Sequence, residues 1–402
     1  MNRFFLFSFL LFAFSACKND AVEHIENASW DELIAKAKGS SVTLVMATGS
    51  KSVNRYMNEY VLPSMKNQYG ITVKIVPGQG KQIVSDLMTE KEAGATVSQA
   101  DVCWINGETF YQLRQINALY GPYSDRLPNS KYVDYENPVI KYDFQEEVKG
   151  FETPWSISSF SVIYDSAKTP VPPVSMQDFE DYWKKHPGKF TIPSDFAGMT
   201  LLKSWLIELA GGNNALDGKF DQEKYNRYAP QLWDFINRNK KYFWKTGETF
   251  PVNNVTCSQM FASGETDFTL SFNYAEIENK ISEGVYAKTC KSLILKAGSI
   301  QNTNYMGIVS NSGKKAGALV LCNFLLSPEA QAKKANINYF GARTVLAYNK
   351  LPVTDQQRFD TLPKVKYGLT AEELKNRIIK EPVAQYMIIL ADDFRKKVIE
   401  FK

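Results

Sequence analysis

The segment Val42-Thr-Leu-Val-Met-Ala47 is a short apolar run of the kind that forms a strand buried inside a sheet. Thr48-Gly49-Ser50 interrupts it, and apolar residues then recur at helical spacing from Val53 to Val61. Pro63 is expected to kink or end that helix. Strand, polar loop and amphipathic helix together make one βα unit, the building block of α/β sheets.

The βα unit recurs twice downstream. Ile71-Thr-Val-Lys-Ile-Val76 leads into Pro77-Gly78-Gln79-Gly80, and Asp101-Val-Cys-Trp-Ile105 leads into Asn106-Gly107-Glu108, each before a helix pattern. Three consecutive units predict a parallel sheet with right-handed crossovers. The three loops then lie together at the carboxyl edge of the sheet, where open α/β sheets bind ligands. The alternative is that their glycines only permit tight turns.

A second group of strands and helices begins near Pro154. Strands are predicted at residues 160–164, 190–192 and 268–272, and helices at residues 200–209, 258–262 and 275–281. The C-terminal third is predicted to be helical, because apolar residues from Ala316 to Phe324 and from Met387 to Val398 recur at helical spacing. Both of these faces fit core packing better than contacts with a cofactor.

Composition and motif searches exclude several function classes. Among 402 residues, 47 Lys and Arg against 43 Asp and Glu give a net charge of +4, too small an excess for a dedicated nucleic-acid binder. The two histidines, His24 and His186, cannot form a His-Glu-x-x-His zinc site. Gly78-Gln79-Gly80 lacks the third glycine of a dinucleotide fingerprint, because residue 83 is Ile, and no nucleophile-elbow motif occurs. The sequence therefore predicts no cofactor, no metal site and no nucleic-acid partner.

The first residues are typical of an export signal. Phe4 to Phe14 is apolar apart from Ser8, and this run is shorter than a membrane-spanning helix requires. The small residues before Cys17 resemble the lipobox of bacterial lipoproteins, in which the cysteine receives lipid and begins the mature chain. We therefore expect a lipid anchor at Cys17, a polar tether after it, and a mature protein outside the cytoplasm. The alternative is an ordinary signal peptide in which Cys17 is incidental.

Four further cysteines remain in the mature chain: Cys103, Cys257, Cys290 and Cys322. An exported protein can form disulfides, so that Cys257 with Cys290, or Cys103 with Cys322, are conceivable pairs. The alternative is four buried free thiols, because the spacing of these residues dictates no pairing.

Several segments resemble the extracytoplasmic solute-binding proteins of ABC importers. Phe324-Leu-Leu-Ser-Pro-Glu-Ala-Gln331 is similar to a signature that these proteins carry after their final crossover. Six shorter segments resemble a branch of the family that is similar to thiamine-, iron- and polyamine-binding proteins: 104–108, 120–122, 127–129, 152–155, 190–193 and 271–273. The resemblance runs from about Val42 to Gln331.

The resemblance implies an α/β, two-lobed fold of the type II periplasmic-binding-protein kind, with parallel-rich sheets flanked by helices and a ligand cleft between the lobes. The implied order along the chain is a lipoprotein signal peptide at 1–16, a lipid anchor and tether at 17–40, the first lobe at 41–153, the second lobe at 154–296, and a return to the first lobe with C-terminal helices at 297–402. The lobes would close by hinge motion on a small solute and deliver it to ABC permease subunits. The alternative is an exported hydrolase on the same scaffold.

The resemblance also places residues in the cleft. The predicted ligand-binding residues are Thr48, Gly49, Ser50, Trp104, Asn106, Glu108, Trp155, Asn273, Tyr274 and Glu276. Trp104 and Trp155 would stack on a flat or cationic ligand, and core packing is the alternative for both. For Glu108 and Glu276 the alternative is a solvated or helix-start charge. The expected ligand is organic: acidic groups beside aromatic residues would suit a cation such as a thiamine-like molecule or a polyamine, whereas polar loops at helix starts would suit an anion. No adjacent tyrosine pair of the iron-binding kind occurs, which disfavours iron without excluding it.

Overall fold

The computed structural model describes residues 23–401, so that the predicted signal peptide and the lipidation site at Cys17 lie outside the described residues. The strands are β1 Ser41–Met46, β2 Thr72–Pro77, β3 Val102–Ile105, β4 Tyr142–Asp143, β5 Glu146–Glu147, β6 Glu152–Ser159, β7 Ser161–Asp165, β8 Phe268–Ser271, β9 Cys290–Leu293, β10 Ser299–Ile308 and β11 Ile378–Lys380.

Helices flank these strands. They are α1 Trp30–Ala37, α2 Lys51–Tyr56, α3 Leu62–Tyr69, α4 Lys81–Glu92, α5 Gly107–Gln115, α6 Pro138–Lys141, α7 Met176–Lys185, α8 Phe196–Leu209, α9 Gln222–Asn239, α10 Asn254–Ala262, α11 Glu276–Ser282, α12 Lys315–Leu325, α13 Pro328–Ala335, α14 Val353–Asp360, α15 Ala371–Leu374 and α16 Ala384–Phe394. Two π-helical turns, Met57–Val61 and Arg395–Ile399, extend α2 and α16.

The larger sheet has six strands and contains the three predicted βα units. β1 pairs in parallel with β2, where Ser41 lies opposite Thr72, and with β3, where Leu44 lies opposite Val102. β10 runs antiparallel to both β3 and β6, and β11 pairs in parallel with the start of β10. The parallel order β2–β1–β3 confirms the prediction from the sequence. It brings the loops that follow these strands to one edge of the sheet.

The smaller sheet has three strands in the order β8–β7–β9, with β7 antiparallel to both neighbours. Only Phe160 separates β6 from β7, so the chain passes from the larger sheet to the smaller one within a single residue. We call the part of the molecule built on the larger sheet the first lobe, and the part built on the smaller sheet the second lobe. The antiparallel strands β6 and β10 are the main connection between them.

Each lobe has its own apolar core. In the first lobe, alternate residues of β1 (Val42, Leu44 and Met46) are buried against α12, which is buried along its whole length. In the second lobe, α8 is the central helix, and its apolar residues pack with the aromatic side chains of α7 and α9. α16 lies in the range predicted to return to the first lobe; it packs both on α8 of the second lobe and on α5 of the first.

Two local predictions are wrong, and a third is narrowed to one of its alternatives. No strand forms at 190–192, because the extended backbone there bonds singly to loop residues, as where Trp244 N–H donates to the carbonyl of Phe190 at 2.7 Å. Of the two outcomes predicted at Pro63, the helix does not end there: a π-helical turn at Met57–Val61 precedes it, and the proline lies in the first turn of α3. Residues 23–37 are not a free tether, because Ile25 and Leu33 are buried in the core of the first lobe.

Cys103, Cys257, Cys290 and Cys322 are buried free thiols, so neither conceivable disulfide pair forms in this structure. Within residues 23–401, no helix combines the length and the apolar character that crossing a bilayer would take.

Candidate functional site

The three loops at the carboxyl edge of β1, β2 and β3 form one wall of the candidate site. The second and third loops adjoin each other, since a Cβ atom at Gly80 would lie 3.8 Å from Oε1 of Glu108. The first loop reaches the second lobe, since a Cβ atom at Gly49 would lie 2.8 Å from Cγ2 of Val255 in α10. The two lobes therefore approach each other closely at Gly49.

In the first loop, Ser50 has a local structural role. Its Oγ accepts a hydrogen bond from Val53 N–H at 3.4 Å and so caps α2, and it also lies 3.0 Å from Oγ of Ser52. The Thr48 carbonyl accepts a hydrogen bond from Asn54 Nδ2 at 2.8 Å, which fixes the loop. The Thr48 hydroxyl, by contrast, has no hydrogen-bond partner among the described residues and remains available to a guest.

In the third loop, Asn106 and Glu108 are half-buried, and neither side chain bonds to another part of the described chain. Asn106 precedes α5 without capping it, although asparagine is a good cap residue. Burial raises the pKa of Glu108, while the charges of Lys81 and Lys203 oppose that shift. Half-buried polar groups without partners are costly unless something else satisfies them, so both residues suit contact with a ligand.

The floor of the site is formed by β6 and β10. These strands are buried except at Ile157, Ser158 and Asn304. Ser158 lies opposite Asn302, so that Ser158 and Asn304 are diagonal neighbours across the ladder. Trp104 Nε1–H donates to Oδ1 of Asn304 at 3.1 Å, and Nδ2 of Asn304 donates to Oγ of Ser158 at 2.8 Å. The connecting strands thus open to solvent at a polar spot beside a half-buried tryptophan.

Trp155 lies in the core of the first lobe and not on this surface. Its side chain is fully buried, and its ring meets Trp104 edge-on at 5.0 Å between centroids. It also packs against Tyr56 and Phe340. Because no face of the Trp155 ring is open, the geometry favours the core-packing alternative for this residue, whereas Trp104 remains partly accessible.

On the second lobe, Asn273 is occupied by the backbone. Its Nδ2 donates to the carbonyl of Phe340 at 3.0 Å, and its Oδ1 accepts from Ala275 N–H at 3.0 Å. The same Phe340 carbonyl accepts a second hydrogen bond, from Nδ2 of Asn279, at 2.9 Å. Asn273 therefore shapes the junction between the lobes and has little capacity left for a ligand.

Tyr274 and Glu276 differ in their surroundings. The Tyr274 hydroxyl donates to the carbonyl of Ala335 at 3.4 Å, and its ring lies beside the Arg343 guanidinium. Burial raises the pKa of Glu276, opposed by Lys280 and reinforced by Glu283, both on or next to α11. Tyr274 is thus joined to the candidate site, whereas Glu276 interacts with charges on its own helix.

Sequence reasoning missed the polar floor and Arg343. The Arg343 carbonyl accepts a hydrogen bond from Ile157 N–H at 3.3 Å, which brings this residue to the floor from an irregular segment after α13. No spacing rule connects an arginine in such a segment to a strand far away along the chain. Asn304 and Ser158 lie in continuous strand patterns, where nothing local marks them as functional.

Comparisons with known proteins identify one matching family and one relative of similar length. A family model described as bacterial extracellular solute-binding protein matches residues 59–359. Protein YnjB of Escherichia coli (strain K12) is 33% identical over 335 residues, which cover 82% of this chain and 85% of that protein.

Solved structures show the same fold at low sequence identity. A proposed spermidine/putrescine ABC transporter from Listeria monocytogenes is 17% identical, covers 90% of this chain and 98% of its own, and has a TM-score of 0.62. The periplasmic binding protein AfuA from Actinobacillus pleuropneumoniae, with fructose-6-phosphate bound, is 13% identical, covers 89% and 98%, and has a TM-score of 0.63. The predicted two-lobed, type II fold is confirmed.

Proposed function

Because the chain belongs to the bacterial extracellular solute-binding protein family, we propose that it captures a small solute between its lobes and delivers it to the permease of an ABC importer. One observation supports this function most. Polar side chains without hydrogen-bond partners at the carboxyl edge of the sheet lie beside the solvent-accessible part of the connecting strands β6 and β10. Thr48, Asn106 and Glu108 supply the first, and Ser158 and Asn304 lie at the second.

The connection between the lobes supports capture by closure. β6 and β10 are long, paired strands. A small rotation of the lobes about these strands changes the distance between the lobe surfaces that lie farthest from the strands, which we call the lips of the cleft. The close approach of Gly49 to Val255 is one such lip contact. A solute that touches both lobes stabilises the closed arrangement, because those contacts are complete only there. The permease would then recognise the closed form.

The solute class depends on local residues, because related folds take unlike ligands. The names of the structural neighbours given above include a polyamine transporter and a protein bound to a sugar phosphate. We propose an organic solute that is bound and released unchanged. The family consists of solute-binding proteins, which gives the hydrolase alternative no support.

The remaining organisation is proposed from sequence and packing together. We propose lipidation at Cys17 and an extracytoplasmic position at a membrane, in line with the extracellular character of the family. We also propose a first lobe that begins at residue 41 and a second lobe at 154–296. The packing of α16 on α8 supports adding the C-terminal helix to the second lobe.

A ligand screen tests the proposal. The mature chain is purified under non-denaturing conditions, and native mass spectrometry records any bound small molecule. Small-angle scattering then measures whether adding that molecule makes the protein more compact. We expect one solute per chain, a smaller radius of gyration on binding, and unchanged solute after release. Conversion of the solute, or the lack of any bound or binding small molecule, would contradict the proposal.

A further inference from the structure

Arg343 is a half-buried cation at the floor of the candidate site. Its guanidinium lies 5.5 Å from the centre of the Tyr274 ring, and its backbone pairs with Ile157 of β6. Among residues 23–401, no carboxylate forms an ion pair with Arg343 and no acceptor takes a hydrogen bond from its side chain. Among the described residues, the guanidinium of Arg343 contacts the Tyr274 ring.

A half-buried arginine without an acceptor in the protein bears part of the cost of burial. Arginine stays protonated, so it cannot avoid the cost of burial by losing its proton, although burial lowers its pKa. Buried charges are normally paired. Two other partly buried arginines have acceptors: Arg126 donates to the carbonyls of Ile25 and Ala28 at 2.8 and 3.1 Å, and Arg55 donates to the carbonyl of Tyr339 at 2.8 Å. Arg114 instead lies 3.4 Å from the centre of the Phe151 ring. Within the described range 23–401, Arg343 has no such acceptor.

On the second lobe, two helix N-termini near the site are already occupied by Asp195. Asp195 accepts from the N–H groups of Ala197 and Gly198 at the start of α8, at 3.1 and 3.4 Å. Its second oxygen accepts from Asn254 N–H at the start of α10, at 2.7 Å. This carboxylate therefore fills two helix N-termini that would otherwise attract a negative group. The guanidinium of Arg343, in contrast, has no hydrogen-bond acceptor among residues 23–401.

We propose that Arg343 is the counter-ion for an anionic group of the transported solute, a carboxylate or a phosphate held by the guanidinium beside Tyr274. The inference rests on the proposed function and names its solute class as a small organic anion. The planar guanidinium can hold either group with two parallel hydrogen bonds. The Trp104 ring, partly exposed and bonded to Asn304 of the floor, is our candidate for contact with an apolar part of the same molecule.

The test compares charged and neutral versions of the same compounds. A panel of small carboxylates and phosphate monoesters, each with its methyl ester or amide or its free alcohol, is screened together with spermidine by thermal shift and calorimetry. The proteins are the unmodified mature chain, Arg343→Gln, Arg343→Lys and the control Arg126→Gln. Arg126 is a matched control because it is also partly buried, but it holds the N-terminal segment and not the floor.

We expect an acid from the panel, or an acid carried through purification, to bind the unmodified chain while its neutral partner binds poorly. Arg343→Gln should weaken that binding about 10- to 100-fold, the value of a charge-assisted hydrogen bond, and Arg343→Lys should restore part of it. Arg126→Gln should change affinity less than about threefold.

The outcomes distinguish a failure of the proposed anion receptor from a failure of the proposed solute-binding function. If a neutral or cationic solute binds, or if Arg343→Gln binds the acid as tightly as the unmodified chain while circular dichroism shows it folded, the anion receptor is refuted and the proposed function stands. If no small molecule binds any of the proteins, the proposed function fails, and the anion receptor fails with it.

Discussion

The ion pair between Lys203 and Glu381 allows a direct measurement of how a buried charge pair contributes to the stability of the second lobe. Lys203 lies in α8 and Glu381 directly follows β11, and their side chains are 0% and 3% exposed. Asn302 Nδ2 donates to the second carboxylate oxygen at 2.9 Å. The Lys203 ammonium also lies 4.6 Å from the centre of the Phe144 ring.

Replacing Lys203 by methionine keeps the volume and removes the charge. Glu381 then stays buried with Asn302 as its remaining hydrogen-bond partner. Breaking one half of a buried pair costs about 3–5 kcal/mol, most of it from the charge left without a counter-ion. The double variant Lys203→Met with Glu381→Gln leaves no buried charge, so it should regain at least half of that loss.

Urea unfolding followed by circular dichroism at pH 7 measures these differences. Lys184→Met is the control, because Lys184 pairs with Glu180 at 2.9 Å but is 46% exposed, and such a pair contributes about 0–1 kcal/mol. A loss below about 1 kcal/mol for Lys203→Met, or a double variant no more stable than the single one, would refute the reasoning.

Two further predictions concern buried groups of the first lobe. Burial raises the pKa of Glu152 and of its neighbour Asp143 well above their usual values, so the folded chain favours the protonated form of both carboxyl groups. The stability that this preference contributes is complete below about pH 4, and it is lost as the pH rises through the raised pKa values. Glu152→Gln should therefore flatten the fall in Tm between pH 5 and pH 9, and a profile parallel to that of the unmodified chain would contradict this. Trp155→Ala should lower the free energy of unfolding by about 3–5 kcal/mol, because it empties a fully buried site. Calorimetry on the folded fraction should find solute affinity nearly unchanged, and a loss of affinity at full stability would place the ring in the site.

The first lobe could be predicted from sequence because local patterns alone specify it. Each βα unit carries an apolar run, a break and a helical period, and parallel pairing then follows from chain connectivity. Phe190–Ile192 shows the limit of such patterns. Both end residues are buried, as in a strand, but a strand also needs a partner along its length, and this segment has only scattered loop contacts.

The candidate site was less predictable, because its members meet only in the folded chain. The sequence does not distinguish Trp104 from Trp155, yet in the folded chain the ring of Trp155 is covered by Phe340 and Tyr56. Asn273 has the side-chain amide expected of a ligand-binding residue, but that amide is hydrogen-bonded to backbone groups. Arg343 follows no periodic pattern, and its character depends on the lack of a partner, which sequence cannot reveal.

The double hydrogen bond to the Phe340 carbonyl constrains how the molecule can move. Asn273 and Asn279 both hold this one oxygen, so any displacement of the second lobe that draws away from Phe340 must break two bonds together. A swing centred on that point breaks neither. The carbonyl of Phe340 therefore acts as a pivot between the lobes. We expect the surfaces around Gly49 and Val255 to move furthest on closure, while the region beside Phe340 stays nearly still.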